Sequence, residues 1–169
     1  MTVKVLVAYA SKYGSTKEIA EKIGESIKGE GLDVDVLSAE KVKDINGYQG
    51  VVIGSASYIG MWRKEANNFV KKYEQPLARM PVWIFSSGPA EKGDPVQLMK
   101  GWLYPTALKP VIENIKPKDI TVFHGNINVD KMNFIEKQMI KMVKSGYGDF
   151  RDWKAIAGWG RGIAAALKK

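Results

Sequence analysis

The sequence contains no cysteine. That excludes disulfides, thiolate-held zinc, protein-ligated iron–sulfur clusters and a thiol nucleophile. Histidine occurs once, at His124. No acid–base pair is evident around it, and the pattern puts it at the end of a strand, as a structural residue. No apolar run is long enough to span a bilayer. The stretch Met1-Thr2-Val3-Lys4-Val5-Leu6-Val7 has no basic region ahead of its apolar residues. It reads as a first strand and not as a signal peptide, so a cytoplasmic chain is expected.

Nucleotide signatures are missing as well. The pattern G-x-x-x-x-G-K-[ST] does not occur, and G-x-G-x-x-G is absent from the first strand–helix turn. Where a ribose-binding acid would close the second strand stand Ser38 and Ala39, with Glu40 just beyond. A phospho-receiver domain needs an acidic pair after the first strand and an aspartate after the third. Those places hold Ala8-Tyr9-Ala10 and Ser55. RNA- and DNA-reading motifs are also lacking, so nucleic acid is not an expected partner.

What is present is a chain of 169 residues, 45% apolar, with a net charge of +8. This suits one globular domain with a sizeable core, spanning 1–169. The charge comes from 26 Lys and Arg against 18 Asp and Glu. It reads either as a solvated basic surface or as an attraction to acidic ligands and anionic membranes.

Val3 to Tyr9 is a continuous apolar run, as in a strand buried on both faces. Residues 15–28 carry Ile19, Ala20, Ile23 and Ile27 at helical spacing. Further strands are expected at Val34–Leu37, Gly50–Gly54, Pro81–Phe85 and Ile120–Phe123. Helices are expected around Ala66–Tyr73, over 96–114 with breaks at Gly101, Pro105 and Pro110, and over Trp153–Leu167. The alternation predicts an α/β fold: a doubly wound, five-stranded parallel sheet of order 2-1-3-4-5 with helices on both faces. Ligands of such sheets bind beyond the carboxyl ends of the strands, at the switch point between strands one and three. The loops that matter are then 10–16, 55–62 and 86–95.

The first loop, Ser11-Lys12-Tyr13-Gly14-Ser15-Thr16, offers three hydroxyls, a glycine and the free amides of a helix start. The plainer role for Ser15 or Thr16 is a helix cap. Several hydroxyls and a glycine in one strand–helix turn favour an anion. Ser11-x-x-Gly14-x-Thr16 resembles the FMN phosphate motif of flavodoxins, [ST]-x-T-G-x-T, with Tyr13 where that family has threonine. The resemblance implies FMN as cofactor, with its phosphate in this loop and Lys12 adding charge.

A flavin ring needs flat apolar walls and nearby backbone groups. The second loop, Ser55-Ala56-Ser57-Tyr58-Ile59-Gly60-Met61-Trp62, offers Tyr58, Met61 and Trp62 as a wall and Gly60 for a peptide turned toward N5. The alternative for Trp62 is packing at the start of the next helix. The third loop opens Ser86-Ser87-Gly88-Pro89, small residues suited to the pyrimidine edge or ribityl chain. A plain polar turn is the alternative there.

Residues 126–148 extend the chain before the last helix. Met132, Ile135, Met139, Met142 and Val143 recur at helical spacing, with Lys131, Lys137, Lys141 and Lys144 on the other face. Such a stripe packs in a core or against a partner. A basic amphipathic helix at 131–144 is also suited to an anionic membrane surface. The whole chain resembles the menaquinone-dependent protoporphyrinogen IX dehydrogenase family in Val51-Val52-Ile53-Gly54, Phe69-Val70-Lys71-Lys72, Met80-Pro81, Met139-Ile140-Lys141 and Asp152-Trp153. That resemblance implies an FMN oxidoreductase with a quinone or other redox partner. The rival expectations are an electron carrier of flavodoxin type, whose usual acidity the +8 charge opposes, and a flavin-free binding module.

Overall fold

The structure is a computed structural model that describes residues 2–58, 60–127, 131–142 and 148–169, with the backbone alone for Tyr58, Ile127 and 139–142. Strand β1 (Lys4–Ala10) leads into helix α1 (Ser15–Gly29) and strand β2 (Asp33–Ser38). Strand β3 (Gly50–Tyr58) and the two-residue strand β4 (Met61–Trp62) precede helices α2 (Lys64–Lys72) and α3 (Glu74–Leu77). Then come β5 (Val82–Ser87), the single turn α4 (Pro95–Leu98), α5 (Lys109–Ile115) and β6 (Asp119–Phe123). Strand β7 (Asn126–Ile127), helix α6 (Phe134–Met142), strand β8 (Gly148–Asp149) and helix α7 (Trp153–Leu167) complete the order.

Five parallel strands lie in the order β2-β1-β3-β5-β6. This is the expected order, renumbered because β4 intervenes. Alternate residues of a strand face opposite sides, and here both sides are covered. Leu6, Ala8, Val51, Ile53, Val82 and Ile84 pack with Ala66, Phe69 and Val70 of α2 and with Ile112 and Ile115 of α5. Val5, Val7, Val52, Trp83 and Phe85 pack with Ile19, Ala20, Ile23 and Ile27 of α1 and with Ile156, Ile163 and Ala164 of α7. Two-sided burial is why these strands read as unbroken apolar runs and not as alternating ones.

Two elements differ from expectation. The stretch 96–114 is not one kinked helix. Lys100 (φ 52°) and Gly101 (φ 86°) both adopt left-handed backbone, which ends the turn α4. Helix α5 begins only at Lys109, with Pro110 tolerated in its first turn. The second predicted loop is largely strand: β3 runs on to Tyr58 and pairs antiparallel with β4, Ser57 opposite Trp62 and Tyr58 opposite Met61. Where a plain loop was expected there is a hairpin.

The extension before the last helix begins and ends on one antiparallel ribbon, Asn126 opposite Asp149 and Ile127 opposite Gly148. Helix α6 lies between those strands. Its expected stripe is only partly apolar core. Met132 is buried, but Ile135 is 69% exposed and Phe134 beside it 75%. The reason is that Glu136 turns inward and takes the contact with the body of the fold. The side chains of Met139, Lys141 and Met142, and residues Val143 and Lys144, lie outside the described residues. No helix among the described residues is long and apolar enough to cross a membrane.

Candidate functional site

The carboxyl ends of β1, β3 and β5 bring the three predicted loops to one edge of the sheet. Gly14 ends the first loop in left-handed backbone (φ 90°), a conformation glycine adopts without steric cost. No side chain caps α1 at that residue. The first-turn amides of a 15-residue helix are therefore left for another acceptor.

The hydroxyls of this loop have separate tasks. Ser11 Oγ accepts from the Gly14 amide at 3.0 Å and shapes the turn. Ser15 Oγ accepts from the Asn126 amide at 3.2 Å, tying the β7–β8 ribbon to the helix start. Thr16 is 1% exposed, and its Oγ1 lies 2.8 Å from Ser87 Oγ. That contact joins the first loop to the third. Lys12 and Tyr13 turn to the extension instead. The Tyr13 hydroxyl donates to Glu136 Oε1, and Lys12 Nζ lies 2.9 Å from the same oxygen. Burial and the carboxylate both raise the Tyr13 pKa above its ordinary value.

The hairpin and the third loop are closely interlocked. Ser57 Oγ donates to the Ser87 carbonyl at 3.1 Å. Ser55 Oγ donates to the Ala56 carbonyl and accepts from the Arg63 amide, fixing the chain as it leaves β4. Trp62 is 4% exposed; its indole donates to Ser86 Oγ at 2.8 Å, and that hydroxyl donates to the Leu103 carbonyl. Trp62 is thus buried and carries Ser86 through its indole. Met61 is 62% exposed at the hairpin end. Gly60 (φ 73°) sits close to the Trp102 indole. Ile59 lies outside the described residues. The Gly88 amide donates to the Phe123 carbonyl, and the Pro89 carbonyl accepts from the Gly125 amide, which holds the third loop against the end of β6.

His124 is buried, and its Nε2 lies 2.7 Å from the Gly93 carbonyl. Burial depresses its pKa, against the opposing pull of Asp152 and Asp94, so it is neutral near pH 7. It anchors the far end of the third loop.

The sequence reading missed several residues at this site. Asn133 and Glu136 form a capping box: the Glu136 amide donates to Asn133 Oδ1 at 2.9 Å, and the Asn133 amide to Glu136 Oε1 at 3.4 Å. The spacing Asn133-x-x-Glu136 is visible in the sequence; its contact with Lys12 and Tyr13 is not. Arg151 has an almost fully buried side chain. It binds Asp149 through two nitrogens, reaches Glu18 at 3.4 Å and donates to the Ser15 carbonyl at 3.3 Å. No local pattern announces it.

Comparison with known proteins identifies the family of this fold. The family model for the flavodoxin domain matches residues 6–154. The protoporphyrinogen IX dehydrogenase [quinone] of Escherichia coli (strain K12) is 24% identical over 178 residues, covering 98% of this chain and 97% of that protein. A flavodoxin from the domain Archaea superposes with a TM-score of 0.65 at 17% identity, over 99% of this chain and all of that one. Rubredoxin oxygen:oxidoreductase from Desulfovibrio gigas also gives 0.65, at 15% identity, over 98% of this chain and 36% of that one. The chain belongs to the flavodoxin-domain family, and FMN is the cofactor this domain indicates. The uncapped start of α1 and the buried hydroxyls of Thr16 and Ser87 beside it fit a phosphate monoester.

Proposed function

We propose that this chain is an FMN-dependent oxidoreductase that draws reducing equivalents from a hydrophobic reductant of the protoporphyrinogen type and passes them to a quinone. The observation that carries this reading is the match, along almost the whole of both chains, to a relative named for that reaction. Exposed Met61 on the hairpin, and exposed Phe134 and Ile135 on the first turn of α6, support it, because each leaves apolar surface uncovered on an element that carries site residues. A flat apolar substrate suits uncovered apolar surface.

When bound, FMN supplies a ring that takes up and releases hydride or electrons. The chain's own residues bind and orient it. Ser11, Gly14, Ser15 and Thr16 would hold the phosphate, with Lys12 and Tyr13 contributing. Ser55, Ala56, Ser57, Tyr58, Ile59, Gly60, Met61 and Trp62 would supply apolar surface and backbone groups to the ring. Ser86, Ser87, Gly88 and Pro89 would hold the pyrimidine edge or ribityl chain. His124, neutral and bonded to a carbonyl, transfers no proton in this scheme.

The test is an anaerobic assay of the flavin-loaded protein. Protoporphyrinogen is supplied with a menaquinone analogue, and protoporphyrin fluorescence is followed. A quinone-dependent rise supports the proposal. No turnover, with ready one-electron cycling, makes the chain a carrier of flavodoxin type. Its charge of +8 would then call for an acidic partner.

The same reading includes peripheral contact with an anionic membrane, the source of a lipid-soluble quinone. It is supported by Phe134 and Ile135, exposed next to the exposed Lys131 and Lys137.

A further inference from the structure

The one cation among the loop residues, Lys12, is already matched by a carboxylate. Glu136 Oε1 receives the Tyr13 hydroxyl, the Lys12 ammonium at 2.9 Å and the Asn133 amide at 3.4 Å. The Glu136 side chain is only 14% exposed. This carboxylate comes from the extension, 120 and more residues away in sequence, and it meets the two loop positions where the chain departs most from simple hydroxyl chemistry.

We infer that Glu136 is an internal anion that competes with the cofactor phosphate for Lys12 and Tyr13, and so sets how strongly the site prefers FMN to a flavin without phosphate. The inference rests on the proposed placement of the phosphate in residues 11–16. A phosphate held at the start of α1 carries up to two negative charges. With Glu136 ionised, Lys12 contributes little net attraction to it, because the carboxylate cancels the ammonium at close range. Removing the carboxylate charge leaves Lys12 unmatched beside the loop and favours the phosphorylated ligand.

Glu136 is ionised at neutral pH. Burial pushes its pKa up, but hydrogen bonds from Tyr13 and Lys12 outweigh that and hold it below the ordinary carboxylate value. The extension keeps other ties to the same loop: the Asn126 amide bonds Ser15 Oγ, and Arg151 bonds the Ser15 carbonyl. Neutralising Glu136 therefore changes the charge at the loop without freeing the segment that carries it.

The experiment measures dissociation constants of FMN and of riboflavin for the full chain stripped of flavin, by fluorescence titration at low salt. Glu136→Gln keeps an acceptor for Tyr13 and Asn133 and removes the charge. It should tighten FMN by about three- to fivefold, the range of a partly exposed ion pair, and leave riboflavin unchanged. The gain should vanish in a Lys12→Met background, which shows that it acts through Lys12. Thr16→Ala serves as the control for the placement and should lower the preference for FMN.

If Thr16→Ala lowers that preference and Glu136→Gln does not raise it, the placement stands and Glu136 is a helix cap alone. Equal changes for both flavins overturn the inference in the same way. If Thr16→Ala leaves the preference untouched, the phosphate lies elsewhere and the inference falls with its placement.

Discussion

Thr16 Oγ1 and Ser87 Oγ lie 2.8 Å apart, joining the start of α1 to the end of β5 across 71 residues of sequence. Both side chains are almost fully buried. Hydroxyls in that position can each accept one hydrogen bond and donate another. One hydroxyl donates to the other, so the pair leaves one O–H donor that a phosphate oxygen would accept from. Thr16→Ala removes one of the two hydroxyls. Affinity for FMN should fall by roughly tenfold, as expected for loss of a hydrogen bond to a charged group, while riboflavin binding changes little. Isothermal titration with the two flavins checks this.

Gly54 faces Phe85 across the β3–β5 register. A Cβ at Gly54 would come within 2.0 Å of the Phe85 ring. That ring is fully buried and packed against Phe123 and Trp159, with centroids 5.8 and 6.1 Å away. It has no room to yield. Gly54→Ala should cost about 1–3 kcal/mol of stability through overpacking. Urea unfolding followed by far-UV circular dichroism measures it, and an unchanged midpoint would contradict the close approach.

His124 is the single histidine, so its ring protons can be followed by NMR without assignment. Its folded pKa lies below the ordinary 6.5 because burial disfavours the imidazolium. The unfolded chain then binds the proton first as pH falls. Stability from this group is complete above pH 6.5 and is lost as pH drops from there through the folded pKa. The NMR titration midpoint should lie below 6.5, and the thermal midpoint should decline over the same window. His124→Gln should flatten that part of the pH profile.

The first turn of α6 presents Phe134 and Ile135 to solvent between Lys131 and Lys137. Co-sedimentation with vesicles rich in anionic lipid should retain the protein at low salt and release much of it at high salt. The double substitution Phe134→Ser, Ile135→Ser should abolish retention at either salt concentration. Equal sedimentation of the variant and the parent would remove α6 from any membrane role.

How much of this was legible in the sequence follows from the range of each interaction. The sheet was readable because two-sided burial writes unbroken apolar runs such as Val3–Tyr9 and Val51–Ile53. Helices α1 and α7 were readable because their apolar residues keep helical spacing. The hairpin was not, since nothing in Ser55–Trp62 distinguishes a strand that turns back on itself from a loop. The break at Lys100 was not, because left-handed backbone at a lysine has no sequence mark. At the site, the loop Ser11–Thr16 was visible as a local cluster. Its partners Ser87, Asn126, Glu136 and Arg151 were not, because each reaches it from a distant part of the chain. Trp62 shows the same limit: its indole bond to Ser86 depends on a contact between strands that no local pattern announces.

An FMN phosphate held by the loop Ser11–Thr16 should separate FMN from riboflavin by affinity. Titration of the flavin-free chain with FMN and with riboflavin, followed by quenching of flavin fluorescence, tests it most directly. The expected result is uptake of FMN at one per chain, with riboflavin bound at least tenfold more weakly, about 1.4 kcal/mol for the phosphate contacts. Equal affinity for the two flavins, or no uptake of either, would contradict it.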